Sequence, residues 1–183
     1  MAIVNDIYAF LNEIAPVRYQ MDFDNAGFLV GDGGTAVKKA LLALDITDDV
    51  IAEAVELRAQ LIVSHHPLIF TPLRHATADD LAGRKVLTLA RYGISAICMH
   101  TNLDAADGGV NDCLAHALGL SGLSMLNEEK IGRIGTLSCE IPLEEFLPAV
   151  VKSLGCSGLR FRDGGKPVHR VAVGGGACRD YIP

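Results

Sequence analysis

The first residues of the chain place hydrophobic side chains at steps of three and four. These positions are Ile3, Ile7, Phe10, Leu11 and Ile14. The spacing puts them on one face of a helix and predicts an amphipathic helix at the start of the chain. We expect it to end before Pro16, because the residue before a proline avoids the α-helical conformation.

Three short runs that are almost purely hydrophobic follow, and a stretch with helical periodicity comes after each. The runs are residues 40–46, 61–63 and 94–99, and the helical stretches are residues 48–59, 79–92 and 109–118. Strands covered by helices on both faces have such runs, and this alternating order is typical of a parallel sheet with right-handed crossovers. We therefore predict an α/β fold with a mostly parallel sheet flanked by helices.

The last third of the chain has a weaker pattern. It predicts a strand over 133–141, a helix over 142–154 and strands over 158–162 and 168–173, followed by three glycines at 174–176. Such a glycine turn normally leads into another helix, so we expect the chain to be part of a longer fold. The predicted division is a first α/β lobe at 1–125 and a partial second lobe at 126–183, truncated after the glycine-rich turn.

Composition excludes several classes of protein. Of 183 residues, 50% are hydrophobic and 21% are charged, which is enough for a buried core and argues against a disordered chain. The net charge of −6 and the lack of a basic block argue against a nucleic-acid partner. No hydrophobic run reaches the roughly 18 residues of a membrane span. Five scattered cysteines without a Cys-x-x-Cys pair favour a reducing, cytoplasmic location over a disulfide framework.

Two histidine-containing segments come directly after predicted strands. His65 and His66 follow the second run, and His100 and Asp104 follow the third. Ligands bind open α/β sheets at the carboxyl ends of their strands, so we expect these four side chains to converge on one edge if the strands are neighbours.

The chemistry of this set favours a divalent metal. Zinc, iron, cobalt and manganese accept neutral imidazoles and carboxylates, and one carboxylate has two oxygens with which to bridge two ions. The alternative is structural, because histidines also cap strands and His100 near Asp104 could order a loop. Asp24 and Asp45 are candidates for orienting the histidines, although Asp45 could instead cap the helix that follows it.

Four segments taken together resemble a known family. They are Asp24–Gly31, Ala43–Thr47, Ser64–Phe70 and His100–Asp112. Their residues and order are similar to those of the Nif-three-like family of dinuclear-metal proteins, whose members are often named as type-two GTP cyclohydrolase I homologues.

This resemblance implies a site with two divalent metal ions, with His65, His66 and Asp104 at ligand positions and Asp104 as the bridge. It also implies two similar α/β lobes and assembly into a ring-shaped homo-oligomer, a hexamer. The family completes its site with a histidine and a glutamate four residues apart after the glycine-rich turn. The sequence after Gly176 contains neither residue, so this chain carries only part of that ligand set.

Three functional hypotheses remain open from the sequence. The first is a metal-dependent, hydrolase-like protein that activates water toward a small-molecule substrate, for which the family name suggests a nucleotide. The second is a non-enzymatic ring-forming scaffold or regulatory protein whose metal is structural or absent. The third, a phosphate loop at Gly174–Gly176, is weak because the Lys-Ser/Thr of a P-loop is missing. No catalytic residue and no organic cofactor is assigned, and Cys98 and Cys139 are expected in the core.

Overall fold

The computed structural model describes residues 1–181, without the side chains of residues 179 and 180. The chain divides into two compact units, Met1–Leu103 and Asp104–Pro183. This boundary lies earlier than residue 125, where the sequence places the end of the first lobe, and the division into family lobes stays a prediction.

The first unit contains a four-stranded sheet with the order β1-β4-β3-β2. Its strands are β1 (Gly27–Val30), β2 (Ala40–Ala43), β3 (Leu61–Ser64) and β4 (Ser95–Cys98). The strands β2, β3 and β4 are parallel, whereas β1 pairs with β4 in the antiparallel direction. This sheet is therefore mostly parallel, as the hydrophobic runs predict.

Three helices of the first unit also lie where the periodicity predicts them. They are α1 (Val4–Ile14), α2 (Asp48–Leu57) and α3 (Leu81–Tyr92). Side chains of Thr47 and Asp80 accept hydrogen bonds from the first turns of α2 and α3, which defines where these helices begin. The core of this unit joins helix residues Ile51 and Leu89 to the buried strand residue Ile62.

The second unit is built on an antiparallel sheet with the order β5-β6-β7. Its elements are α5 (Val110–Ala117), β5 (Ser121–Met125), β6 (Arg133–Ile141), α6 (Leu143–Leu154) and β7 (Val168–Val173). A short helix, α4 (Thr101–Ala105), directly follows β4 and includes the boundary between the units. The core of the second unit contains Ala115, Leu120 and Val173.

The structure corrects several details of the sequence-based prediction. The strand predicted over 158–162 is wrong, since these residues form no regular element and Phe161 is 63% exposed. Strands β1 and β5 were not predicted, because each is short and contains glycine. Cys98 is buried as expected, but Cys139 is exposed.

The glycine-rich turn is used for packing within the second unit. The N–H of Gly175 donates a hydrogen bond to Oδ1 of Asn111 over 2.8 Å, and a Cβ at Gly174 would lie 2.6 Å from Sγ of Cys178. A backbone amide already bonded inside the protein does not favour the phosphate-loop hypothesis. Among residues 1–181, no helix has both the length and the hydrophobicity that crossing a membrane requires.

Candidate metal centre

Three histidines meet at the carboxyl ends of β3 and β4. His65, His66 and His100 each offer a ring nitrogen, and these three atoms lie within 4.8 Å of one another. The ring centroids are 5.0 Å apart for His65 and His66, 5.2 Å for His65 and His100, and 5.6 Å for His66 and His100. Separations of this size allow the three imidazoles to share one metal ion.

The backbone explains how two adjacent histidines reach one site. Adjacent residues on a regular strand point to opposite faces, but β3 ends at Ser64, immediately before His65. The amides of His65 and His66 still donate hydrogen bonds to the carbonyls of Ala43 and Leu44, at 3.2 and 2.9 Å. The Ser64 hydroxyl donates to the carbonyl of His66 over 2.8 Å, which fixes the turn out of the strand.

Each imidazole is oriented by a hydrogen bond at Nδ1. The Nδ1 atoms of His65, His66 and His100 lie 2.9, 2.8 and 2.8 Å from the Met99 carbonyl, the Asp45 carboxylate and the Asp24 carboxylate. Carbonyl and ionised carboxylate oxygens only accept hydrogen bonds, so Nδ1 carries the proton in all three rings. The neutral tautomer then has its lone pair on Nε2, which is the arrangement found in metal-bound histidines.

Asp24 holds His100 from a buried position. Its side chain has no exposed area, and its second oxygen accepts hydrogen bonds from the backbone N–H and the hydroxyl of Thr101. Burial raises the pKa of Asp24, but the hydrogen bonds from His100, Thr101 and Asn25 outweigh that effect and lower the pKa overall. Asp24 therefore stays ionised and keeps the proton of His100 on Nδ1.

Asp45 performs the corresponding role for His66 at the surface. The side chains of His66 and Asp45 are 45% and 53% exposed. The alternative role for Asp45 as a helix cap is wrong, because the side chain that caps α2 belongs to Thr47. Solvent competes for this hydrogen bond, so Asp45 orients its histidine less firmly than Asp24 does.

The donor set of the cluster fits a borderline divalent ion. It contains three imidazole nitrogens and no sulfur, and three protein ligands leave coordination positions for water or substrate. The nearby thiol of Cys98 is directed at the carbonyl of His65, 2.9 Å from it. Burial, together with the charge of Asp24, raises the pKa of Cys98 to about 12, and among the described residues the group of atoms that could hold a metal contains the three histidines and not Cys98.

The fourth predicted side chain belongs to the second unit. Asp104 lies in α4, is 9% exposed, and accepts a hydrogen bond at its backbone carbonyl from Asn111 over 2.9 Å. Its role as a bridging metal ligand stays a prediction. The resemblance places ligands at His65, His66 and Asp104, and the geometry of the first unit adds His100 to the two histidines.

Two kinds of hydrophobic surface adjoin the histidines within the first unit. A cavity of about 230 Å³ includes His65 in its lining, with hydrophobic side chains of α1 and Val63. The rings of Phe23 and Phe70 lie 6.4 Å apart, and that of Phe70 is 6.5 Å from His100. No hydrophobic or polar pattern in the sequence points to these phenylalanines or to the supporting residues Asn25 and Thr101. Each of them does stand within a motif segment or directly before it.

Comparisons with known proteins agree with the sequence motifs. The family model Duf34/NIF3 (NGG1p interacting factor 3) matches residues 2–183. A Clostridium perfringens protein named GTP cyclohydrolase 1 type 2 homolog is 38% identical over 98% of this chain and 71% of its own length. A Clostridium acetobutylicum protein of the same name is 34% identical over 98% of this chain and 70% of its own length. The crystal structure of a Staphylococcus aureus hypothetical protein superposes with a TM-score of 0.87 at 26% identity, covering 98% of this chain and 73% of the other.

Proposed function

Because this chain belongs to the DUF34/NIF3 family, we propose that it binds divalent metal ions and carries out hydrolase-like chemistry at the histidine cluster. His65, His66 and His100 would hold a metal ion, and the family resemblance would add Asp104 as a further ligand. Zinc, iron, cobalt and manganese are the candidate ions. The observation that carries the proposal is the anchoring of all three Nδ1 atoms by acceptors.

The residues around the cluster prepare it for this role. Asp24 and Asp45 keep Nδ1 protonated, which makes the Nε2 lone pairs better donors and saves the cost of ordering the rings when metal binds. A bound divalent ion would supply a Lewis acid that acidifies water and polarises a substrate carbonyl, ring carbon or phosphate. The exposure of His66 leaves this side of the cluster open to a small molecule.

Metal content tests the first half of the proposal. Wild type, His65→Ala, His100→Ala and the control His75→Ala, whose side chain is in an exposed loop, are loaded with zinc and dialysed against a mild chelator. Plasma mass spectrometry should find metal retained in wild type and His75→Ala and lost from the two cluster variants. Equal zinc in His100→Ala and wild type, with both proteins folded by circular dichroism, would contradict the assignment.

Substrate turnover tests the second half. The names of the relatives make GTP the first compound to try. Consumption of GTP should require added metal and should be lost in His100→Ala but not in His75→Ala. Consumption that is identical in the chelator-treated protein would show that the histidine cluster is not its source.

A second candidate function is a scaffold formed by self-association. The edge strand β2 and the residues after it leave hydrophobic side chains in solvent, with Leu42 76% and Leu44 62% exposed. Exposed edge strands with hydrophobic residues are typical association surfaces. Under this hypothesis the protein sediments as an oligomer, a hexamer by the family resemblance, with or without metal, and Leu42→Lys lowers its mass. A chain that is monomeric in both states would exclude the scaffold.

A further inference from the structure

Two phenylalanines beside the histidine cluster are left exposed to solvent. Phe23 is 62% exposed and Phe70 is 49% exposed. Their ring centroids are 6.4 Å apart, with an angle of 57° between the rings. Exposed aromatic side chains that touch each other next to a group of polar ligands are typical of small-molecule sites, where a few polar groups meet an apolar wall.

The pair is joined to the histidines through Phe70. Its ring lies edge-on to that of His100, with centroids 6.5 Å apart and an angle of 80° between the planes. The ring centroids of Phe70 and His100 are only 6.5 Å apart, so one small molecule can contact both residues. The aromatic pair and the histidine cluster therefore form one continuous surface of the first unit.

The loops that carry the two rings are held in place by the residues that orient His100. Asp24, directly after Phe23, binds His100 and Thr101. Asn25 donates from Nδ2 to the carbonyl of Ile69, directly before Phe70, over 2.6 Å. The amide of Met21 donates to the Thr101 hydroxyl over 2.9 Å. The backbone beside both phenylalanines is thus held near His100, and such preorganisation lowers the cost of binding a ligand.

We infer that Phe23 and Phe70 form a binding wall for a flat aromatic or heteroaromatic ring in a substrate that also carries an oxygen donor for the metal. This inference rests on the proposed function, because the metal on the histidine cluster is the second anchor of that substrate. Phenylalanine faces attract flat rings more than saturated ones, since aromatic pairs gain beyond the area they bury. The two phenylalanines therefore select substrates with a flat ring, and the metal selects substrates with an oxygen donor.

The test compares two ligands that differ only in ring character. Benzoate and cyclohexanecarboxylate have the same charge and a six-membered ring, and their dissociation constants for the zinc-loaded protein are measured by ligand-observed NMR. Wild type should bind benzoate about twofold to tenfold more tightly, the range expected for one aromatic pair. Phe23→Leu and Phe70→Leu keep hydrophobic bulk but remove the ring, so this preference should fall toward one. Leu81→Ala, at an exposed hydrophobic position on α3, is the control.

Zinc content measured in the same samples separates failure of this inference from failure of the proposed function. If zinc is bound in all variants and wild type does not prefer benzoate, or if both leucine variants keep the preference, the aromatic wall is overturned while the metal site stands. If zinc does not bind to wild type, the proposed function fails, and the inference that rests on it fails too. Sedimentation velocity tests whether a second copy of the chain, rather than a small molecule, contacts the two phenylalanines. A lower oligomer mass in Phe70→Leu with an unchanged benzoate preference would mean that it does, and would overturn the inference.

Discussion

The carboxylate of Asp24 lies 2.8 Å from Nδ1 of His100, and the side chain of Asp24 is fully buried. The residues are 76 positions apart in the chain, so the fold itself creates this pair. Its other oxygen is bonded to Thr101, which leaves Asp24 in one orientation. Two histidines are paired with carboxylates, and this hydrogen bond orients His100 more firmly than Asp45 orients His66.

Asp24→Asn should weaken zinc binding by about tenfold to a hundredfold, the usual effect of losing a partner behind a metal-binding histidine. If the NH₂ group of the asparagine faced Thr101, two hydrogen-bond donors would face each other. The negative charge of Asp24 would also be lost. Asp45→Asn should have the smaller effect, because Asp45 is 53% exposed. Competition with a chromophoric chelator measures both affinities. A larger loss in Asp45→Asn than in Asp24→Asn would contradict this account of the site.

The buried Arg133 makes the second unit sensitive to loss of Asp112. The guanidinium is 2% exposed, its Nε lies 2.5 Å from Oδ1 of Asp112, and its other nitrogens donate to four backbone carbonyls. Asp112→Asn leaves a buried cation without its anion, which costs about 3 to 5 kcal/mol. Urea unfolding should show this loss, and Asp107→Asn, at an exposed position, should show almost none.

The same ion pair predicts a pH dependence. Burial raises the pKa of Asp112, but the hydrogen bonds from Arg133 and Gly108 lower it further than burial raises it. With a folded-state pKa below the unfolded value of about 3.9, the pair stabilises the protein fully above about pH 5 and loses that contribution as the pH falls through the folded pKa. The stability difference between wild type and Asp112→Asn should therefore shrink at low pH. A difference that is constant down to pH 2 would exclude this ion pair as its cause.

Gly31 determines how β1 leaves the sheet. It has a φ of +112°, and a Cβ there would lie 2.7 Å from the Cα of Ser95, in the neighbouring strand β4. Gly31→Ala should destabilise the protein by about 2 to 4 kcal/mol, through left-handed strain and a clash with backbone. Gly93→Ala is the matched control, since its φ is +65° and its Cβ would meet no atom within 4 Å. Similar losses in the two variants would show that the contact with Ser95 costs nothing.

Cys98 should resist alkylation in the folded protein. Burial, with the charge of Asp24, raises the pKa of its thiol to about 12, whereas Cys113 and Cys139 are exposed. Iodoacetamide at pH 8 followed by peptide mass spectrometry should label the two exposed cysteines and leave Cys98 unmodified until the chain is unfolded. Equal rates at Cys98 and Cys113 in the native protein would contradict the buried position.

The sequence predicted the parallel part of the first sheet because its strands are hydrophobic runs separated by clear helices, although the edge strand β2 is partly exposed rather than covered on both faces. That order places His65, His66 and His100 directly after strands, and the pairing of β3 with β4 in the structure brings the three together. The sequence did not show that Asp24 contacts His100. Asp24 lies just before β1, which is only four residues long and pairs with β4 in the antiparallel direction. The distance between Asp24 and His100 depends on this pairing, which no local pattern in the chain indicates.

The second unit was harder to predict for a related reason. Residues 158–162 alternate hydrophobic and polar side chains, but no strand pairs with them, and hydrogen bonding to a neighbour is what makes a strand. In contrast, β6 and β7 were predicted correctly because each is long enough to show its pattern. Arg133 carries a charge, so its burial could not be expected before its carbonyl and Asp112 partners were known.

We propose that three imidazoles, each held at Nδ1, bind one metal ion through Nε2. Zinc K-edge X-ray absorption of the zinc-loaded protein tests it directly, because imidazole rings give distinct scattering beyond the first shell at about 2.0 to 2.1 Å. With one equivalent of zinc added, we expect three imidazoles in wild type and in His75→Ala, and two in the zinc that His100→Ala holds before any dialysis. A shell of oxygen ligands alone in wild type, or the same imidazole count in His100→Ala, would contradict it.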